Sequence, residues 1–256
     1  MECKIAGMLR AIRRGALLAA ACLLLPQDTL AQREPPVQKE LVERFGEWAE
    51  AYVAALPSYT AYESVRQTHF GRRGAVSSQR SANYQYTFRR SAENPREFEE
   101  SRTRIAASEG VNGASAGKPP DESSIGLLSK AALLVTRFAP RYQERMKYFF
   151  VPDHPDSVSN FVIVGYRQTS GAALMEVNGK EAFPTGRAWM DPDDGRIVRI
   201  EEEFGQVGKT RYFVAVDFAA DPITGAWLPE KITMRIFANN RLELQNEYSY
   251  SAFRPL

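Results

Sequence analysis

The chain has 256 residues, with 33 Lys and Arg against 31 Asp and Glu, and a formal net charge of +2. A charge this close to zero gives no support to nucleic-acid binding. Both cysteines, Cys3 and Cys22, lie within the first 31 residues. A chain cleaved after that segment therefore has no thiol, which excludes disulfides and cysteine chemistry. The remaining length is enough for one large β-rich domain with a hydrophobic core.

Residues 1–31 have the anatomy of a cleavable signal peptide. Basic residues precede an apolar run over 15–25, and the small residue Ala31 precedes the expected cleavage site. The apolar run is too short to span a bilayer. We therefore predict an exported, periplasmic protein with a single mature domain at 32–256. The alternative is a lipid anchor on Cys22, although three leucines continue the apolar run directly after it.

Residues 37–56 predict the first helix of the mature domain. Apolar side chains recur there at spacings of three and four, opposite a face rich in glutamate: Leu41, Phe45, Trp48, Tyr52 and Leu56. Pro57 ends the pattern. The acidic polar face is typical of a helix packed on a sheet, because a free membrane-surface helix favours a basic one.

A second helix is predicted from Ser123 or Ser124 to about Phe138, before Pro140. Its residues are apolar on nearly every side. Such a helix has to be buried on more than one face, or else to cover a partner or ligand. We interpret it as core packing, with a lid over an apolar cavity as the alternative.

The rest of the chain predicts strands. Extended segments occupy 59–106, 145–151 and 160–169, and strand and turn then alternate from 183 to the C-terminus. One face of a late strand carries Tyr212, Val214, Val216 and Phe218, and the strand before it has a similar stripe of Val198, Ile200 and Phe204. Connections this short force antiparallel neighbours, so the C-terminal third is predicted to be a meander.

Residues 109–124 form a linker rich in small residues. Two serine-hydrolase patterns occur by chance in this linker, at 113–117 and at 115–118. A nucleophile elbow needs a helix directly after its serine, and Pro119-Pro120 forbid that helix.

The acidic loop around His154 lacks a second cluster of ligands that could complete the coordination shell of a metal ion. We therefore predict no catalytic residues, no metal and no cofactor.

A family resemblance is carried by two short segments. The first is the hairpin GRAWMDP at 186–192 followed by GRIVR at 195–199, and the second is GAWLPEKI at 225–232. Together with the order of helices and strands, these segments resemble the LolA/LolB-like lipoprotein carriers of the bacterial envelope. The likeness covers most of 37–256 as architecture, and its motifs cover about 40 residues.

The resemblance implies an α+β fold. A strongly curved antiparallel sheet, an incomplete barrel, would be wrapped around or covered by two main helices, with a hydrophobic cavity for acyl chains. From the strand and helix patterns, the candidates for lining that cavity are Tyr84, Tyr86, Phe88, Leu128, Val135, Val198, Ile200, Tyr212, Val214 and Val216.

Our first functional hypothesis is a non-enzymatic, monomeric periplasmic carrier that binds lipid acyl chains or lipoproteins and touches the membrane transiently. A protein-interaction or sensor module with a packed interior is the alternative. The nine arginines against four acids in 66–104 are explained by solvated strand faces, and an electrostatic docking surface for a partner or for lipid phosphate is the alternative. A hydrolase is third, and would need two close carboxylates, for example among Glu201, Glu202 and Glu203.

Overall fold

Antiparallel strands make up most of the protein. The computed structural model describes residues 37–94, 97–105, 120, 130–151, 160–177, 180–207 and 210–256. All of these residues belong to one unit of the chain, 35–256. The predicted signal peptide, most of the linker at 109–124, the loop around His154 and Leu128 lie outside the described residues.

The described ranges contain three helices and twelve strands. The helices are α1 (Lys39–Ala55), the 3-10 helix η1 (Ala131–Phe138) and α2 (Pro140–Gln143). The strands are β1 (Tyr59–Phe70), β2 (Val76–Arg90), β3 (Phe98–Ile105), β4 (Met146–Phe150), β5 (Val162–Gln168), β6 (Met175–Val177), β7 (Lys180–Ala182), β8 (Thr185–Met190), β9 (Ile197–Val207), β10 (Thr210–Ala220), β11 (Trp227–Ala238) and β12 (Arg241–Pro255). None of these helices is long and apolar enough to cross a membrane.

Ten of the strands form one antiparallel sheet in the order β3-β2-β1-β12-β11-β10-β9-β8-β5-β4. The predicted C-terminal meander is confirmed, because β8 to β12 are neighbours both in the chain and in the sheet. The last strand, β12, pairs with β1 and so joins the N-terminal hairpins to the meander. Strands β3 and β4 remain at the two edges, so the sheet does not close into a barrel. This confirms the predicted fold class.

Irregular pairing bends several strands of the sheet. The register shifts within β1–β12, β8–β9 and β10–β11, and an extra residue on one strand increases its bend and twist. In β9 the shift also changes which residues face the core. Trp189 pairs with Arg199 but Met190 pairs with Ile197, so Val198 is the extra residue. Simple alternation puts Val198 on the inner face, and the structure places Ile197 in the core instead.

Helix α1 matches its prediction closely. Phe45, Ala49 and Tyr52 are buried on one face, and the ring of Trp48 stacks on Tyr52 with 5.2 Å between ring centroids. The helix ends before Pro57, as expected. Its carbonyl groups near the C-terminus accept hydrogen bonds from the Arg90 guanidinium of β2, which ties the helix to the sheet.

The second predicted helix requires a correction. Its described part, η1, is a 3-10 helix rather than an α-helix, and residue Lys130 before it adopts a left-handed conformation (φ 57°). The Thr136 hydroxyl donates to the carbonyl of Leu133, inside a single tight turn. A 3-10 helix rises about 2.0 Å per residue against 1.5 Å for an α-helix. The eight residues of η1 therefore span about 16 Å, against about 12 Å in an α-helix of the same length.

Candidate functional site

The inner face of the sheet is lined mainly by aromatic and aliphatic side chains. All but two of the predicted cavity residues belong to its hydrophobic core, each with at most 7% of its surface exposed: Tyr84, Tyr86, Phe88, Val135, Ile200, Tyr212, Val214 and Val216. Val198 is half-buried, and Leu128 lies outside the described residues. The structure thus brings the predicted candidates from β2, η1, β9 and β10 into one interior.

Helix η1 covers this interior. It contacts α1, α2, β9 and β11, and every residue in it except Leu133 is buried. Phe138 at its end is fully buried among three rings, with centroid distances of 6.3 Å to Phe45, 5.3 Å to Tyr148 and 5.3 Å to Tyr166. The cover is therefore held largely by apolar side chains.

A buried ion pair fastens the C-terminal part of η1 to the sheet. The Arg137 guanidinium donates from Nε to Oε2 of Glu202 at 2.8 Å and from Nη2 to Oε1 at 3.1 Å. Glu202 on β9 is fully buried, and it also accepts a hydrogen bond of 2.8 Å from the Tyr166 hydroxyl. A Cβ on Gly186 would lie 2.6 Å from the Tyr166 ring. Glycine at that position therefore leaves Tyr166 the space to reach Glu202.

A second charged cluster lies near the start of η1. Arg102 on β3 donates to both carboxylate oxygens of Glu63 at 2.8 and 3.1 Å, and it pairs with Glu100 at 2.7 Å. The Tyr250 hydroxyl donates to Glu63 at 2.7 Å. Glu100 also accepts a hydrogen bond from the backbone N–H of Lys130, directly before η1. Each end of η1 is therefore attached to a carboxylate of the sheet.

Burial governs the titration of these groups. It raises the pKa of the Glu63 carboxyl by more than Arg102 and Tyr250 lower it. Burial also raises the pKa values of the Tyr166 and Tyr250 hydroxyls well above their ordinary range, so both remain hydrogen-bond donors at neutral pH.

The raised pKa of Glu63 predicts a pH effect on stability. Because the folded state holds this proton more tightly than the unfolded state, the contribution is present at low pH and is lost as pH rises from about 4.3 through the raised pKa. We expect wild type to lose stability relative to Glu63→Gln over that range, as measured by urea unfolding at a series of pH values. A difference that stays constant or changes in the opposite direction would contradict the assignment.

Glu201 contributes a pH dependence of opposite sign, which has to be separated from that of Glu63. Burial raises its pKa, but hydrogen bonds from Arg199 and Arg187 outweigh burial and leave the pKa lowered. Its contribution is therefore present above the ordinary carboxyl pKa and is lost as pH falls. Since both proteins carry Glu201, this opposite slope cancels in the difference between them.

The cavity between η1 and the sheet is small. It has a volume of about 10 Å³ and lies next to Tyr59, Tyr86, Tyr248, Tyr250 and Arg102. This is about the room that one water molecule needs. Pockets for small molecules usually measure about 300–1,000 Å³. With η1 in place, this cavity is therefore too small for an acyl chain.

The junction of α1, η1 and α2 is equally tight. The Gln143 side-chain amide donates to the carbonyl of Val42 at 3.1 Å and to that of Phe138 at 2.9 Å. A Cβ on Gly46 would lie 2.4 Å from the Gln143 nitrogen and 2.9 Å from the Phe138 carbonyl. Glycine at this position of α1 therefore lets the helix pack directly on the end of η1.

A larger concave surface lies outside the sheet interior. It has a volume of about 350 Å³ and is bordered by Trp48 and Ala55 of α1 and by Trp227 of β11. The Arg196 guanidinium lies 4.9 Å from the Trp227 ring centroid. The Trp227 indole donates to the carbonyl of Ile197 at 2.8 Å. This aromatic groove is preformed, because hydrogen bonding and stacking fix the orientation of its rings.

The three consecutive glutamates of β9 do not form a carboxylate pair. Glu202 faces the interior, whereas Glu201 pairs with Arg187 and Arg199, and Glu203 pairs with Arg211. Successive side chains of a strand point to opposite faces, so neighbours in sequence are separated in space. The described ranges contain no group of three or more His, Cys, Asp or Glu arranged to hold a metal ion.

The sequence prediction missed the interior charges. Glu63 has the same strand parity as the buried residues Ala61 and Val65, and Glu202 has the same parity as Ile200. That period of two is the signal that could have identified both as inward-facing. The basic partner of Glu202, Arg137, gave no comparable signal because it lies on η1, 65 residues away.

Comparisons with known proteins yield structural similarities alone. No protein-family model matches the chain, and no curated protein matches it. Among solved structures, a LolA superfamily protein from Nitrosomonas europaea is 11% identical, with a TM-score of 0.41, over 84% of this chain and 93% of that chain. A DUF1329 family protein from Desulfovibrio piger is 12% identical, with a TM-score of 0.37, over 86% of this chain and 93% of that chain.

Proposed function

We propose that this protein is a non-enzymatic carrier of the cell envelope that binds acyl chains in the space now occupied by η1. The observation that carries the proposal is the cover itself. An apolar segment of eight residues packs against strands β9 and β11 of an open ten-stranded sheet, yet it is not part of the sheet's hydrogen-bonded ladder. Such a segment can leave without breaking strand pairing.

The geometry of η1 supports exchange with a ligand. Runs of 3-10 helix longer than three or four residues are uncommon, and they often mark hinges or strained segments. At about 2.0 Å per residue, the eight residues of η1 span about 16 Å, similar to an extended medium-length acyl chain. The walls left behind would include Val214 and Ile200, which are fully buried and apolar.

Hydrophobic exchange supplies enough free energy for reversible binding. Each buried methylene contributes about 0.8 kcal/mol, and this gain is offset by the loss of the contacts that η1 makes. The net affinity is therefore moderate, and the cover can return when the ligand leaves. A carrier requires that balance, because a ligand bound too tightly could not be delivered.

Native mass spectrometry tests the proposal. The full chain is expressed with its N-terminal segment, purified from the cell envelope without detergent, and measured before and after lipid extraction. We expect an adduct with the mass of an acyl-chain lipid. Val214→Trp, which fills the inner wall, should reduce the adduct. Val76→Trp adds the same ring at a position 60% exposed and should leave it unchanged.

The presence or absence of the adduct on the wild-type protein tests the carrier proposal even if the Val214→Trp variant does not fold. A mass without adduct, and without a shift after incubation with acyl-chain ligands, would contradict the carrier proposal. In that case the protein-interaction module becomes the better explanation. Two observations favour it as a second candidate: the small size of the cavity beneath η1 and the preformed groove beside Trp48 and Trp227.

A further inference from the structure

Among the residues that the structure describes, the buried carboxylates of the interior outnumber the guanidinium groups that would remain beside them without η1. Glu63, Glu100 and Glu202 belong to strands β1, β3 and β9, with side chains at most 6% exposed. Of their two guanidinium partners, Arg102 belongs to β3 and stays with the sheet. The other, Arg137, belongs to η1 and leaves with it.

Departure of η1 affects Glu202 most strongly. Glu202 loses both hydrogen bonds from Arg137, and among the described residues it keeps the hydroxyl of Tyr166 as its donor. Glu100 also loses the Lys130 N–H but keeps Arg102. A buried carboxylate without a cation is strongly destabilised, because its charge has lost its partner and is not solvated by water. An uncharged or anionic ligand would leave this penalty in place.

Resting on the carrier function proposed above, we propose that the ligand bears a cationic nitrogen that takes the place of Arg137 beside Glu202. Its chemical class is an acyl or alkyl chain with an ammonium or guanidinium group. An ammonium group donates three hydrogen bonds, so it can satisfy the Glu202 oxygens released by Arg137. The cationic group then gives selectivity, while the chain fills the volume of η1.

The preference of the protein among three amphiphiles tests this inference. Dodecylamine, dodecanol and dodecanoate have chains of equal length and carry positive, zero and negative charge at neutral pH. Binding to the full chain is measured by isothermal titration calorimetry, with dodecylamine and dodecanoate below their critical micelle concentrations and dodecanol below its solubility limit. We expect dodecylamine to bind about tenfold or more tightly than dodecanol, and dodecanoate to bind most weakly.

The Glu202→Gln variant tests whether Glu202 causes the preference for dodecylamine over dodecanol. The ratio of dodecylamine to dodecanol affinity should fall towards one, because the neutral amide no longer attracts the ammonium. The ratio is insensitive to easier opening of η1, since both ligands start from the same closed state. Glu203→Gln is the matched control on the same strand, because its side chain is 44% exposed and pairs with Arg211, and the ratio should remain close to wild type.

Each other outcome overturns the inference in a distinguishable way. Equal binding of dodecylamine and dodecanol, or tighter binding of dodecanoate, would overturn the cationic preference and leave the carrier function standing. A preference retained in Glu202→Gln would overturn the assignment to Glu202. Failure of all three amphiphiles to bind would overturn both proposals. The wild-type ratio is decisive where the Glu202→Gln variant does not fold.

Discussion

Replacing Glu202 with alanine is expected to destabilise the closed position of η1 by about 3–5 kcal/mol, because it leaves the Arg137 guanidinium buried without its carboxylate. The Tyr166 hydroxyl loses its acceptor in the same variant. Hydrogen exchange by mass spectrometry at 131–138 measures the change. Where η1 opens locally, the global stability measured by urea unfolding falls only by the smaller free energy of opening.

Glu203→Ala is the matched control on the same strand. The Glu203 side chain is 44% exposed, and its pair with Arg211 lies on the opposite face of the sheet. Exposed ion pairs contribute about 0–1 kcal/mol, so we expect little change in stability.

The double variant Arg137→Met/Glu202→Met should recover much of the stability that Glu202→Ala loses, since no unpaired buried charge remains. Equal effects of Glu202→Ala and Glu203→Ala would contradict the buried-pair interpretation.

Replacing Phe138 with alanine should separate opening of the cover from unfolding of the sheet. Loss of a buried phenylalanine typically costs about 3–5 kcal/mol. If η1 can open locally, the substitution destabilises the closed position of η1. The free energy of global unfolding then falls by no more than the free energy that opening η1 requires in the wild type. We therefore expect faster hydrogen exchange at 131–138, little change in the sheet, and tighter binding of acyl ligands.

Phe88→Ala serves as the comparison for Phe138→Ala. Phe88 on β2 is also fully buried, and its ring stacks on Phe98 at 4.8 Å and on Tyr59 at 5.4 Å. Because it belongs to the sheet, its loss should lower global stability by the full amount of about 3–5 kcal/mol. Hydrogen exchange by mass spectrometry distinguishes the two variants. Similar loss of protection throughout the sheet in both would mean that η1 is permanent core.

Much of the fold was predictable because its determinants are local. The stripe of Tyr212, Val214, Val216 and Phe218 predicted one buried face of β10, and all four residues are buried. Turn residues between short strands predicted the antiparallel meander. The stripe on α1 likewise predicted its buried face. These elements depend on neighbours two to four positions apart, which a sequence pattern records directly.

The candidate site was only partly predictable. The alternating pattern identified most of the residues that line the interior, but it missed the bulge that turns Val198 away from the core. It also missed that Glu202 and Glu63 have the parity of core residues. Acidic residues in a strand are usually solvated, and that expectation outweighed the pattern. Their burial becomes understandable only when the arginine partners are known.

The sequence alone determined the antiparallel strands, the order of the elements and the apolar character of η1, because these follow from local periodicity and turn chemistry. The tertiary structure alone decided that η1 is a 3-10 helix and that Arg137 meets Glu202 65 residues away. It also decided that Arg102 meets Glu63 39 residues away. Neither pairing has a local signal, since each depends on the curvature of a sheet assembled from both ends of the chain.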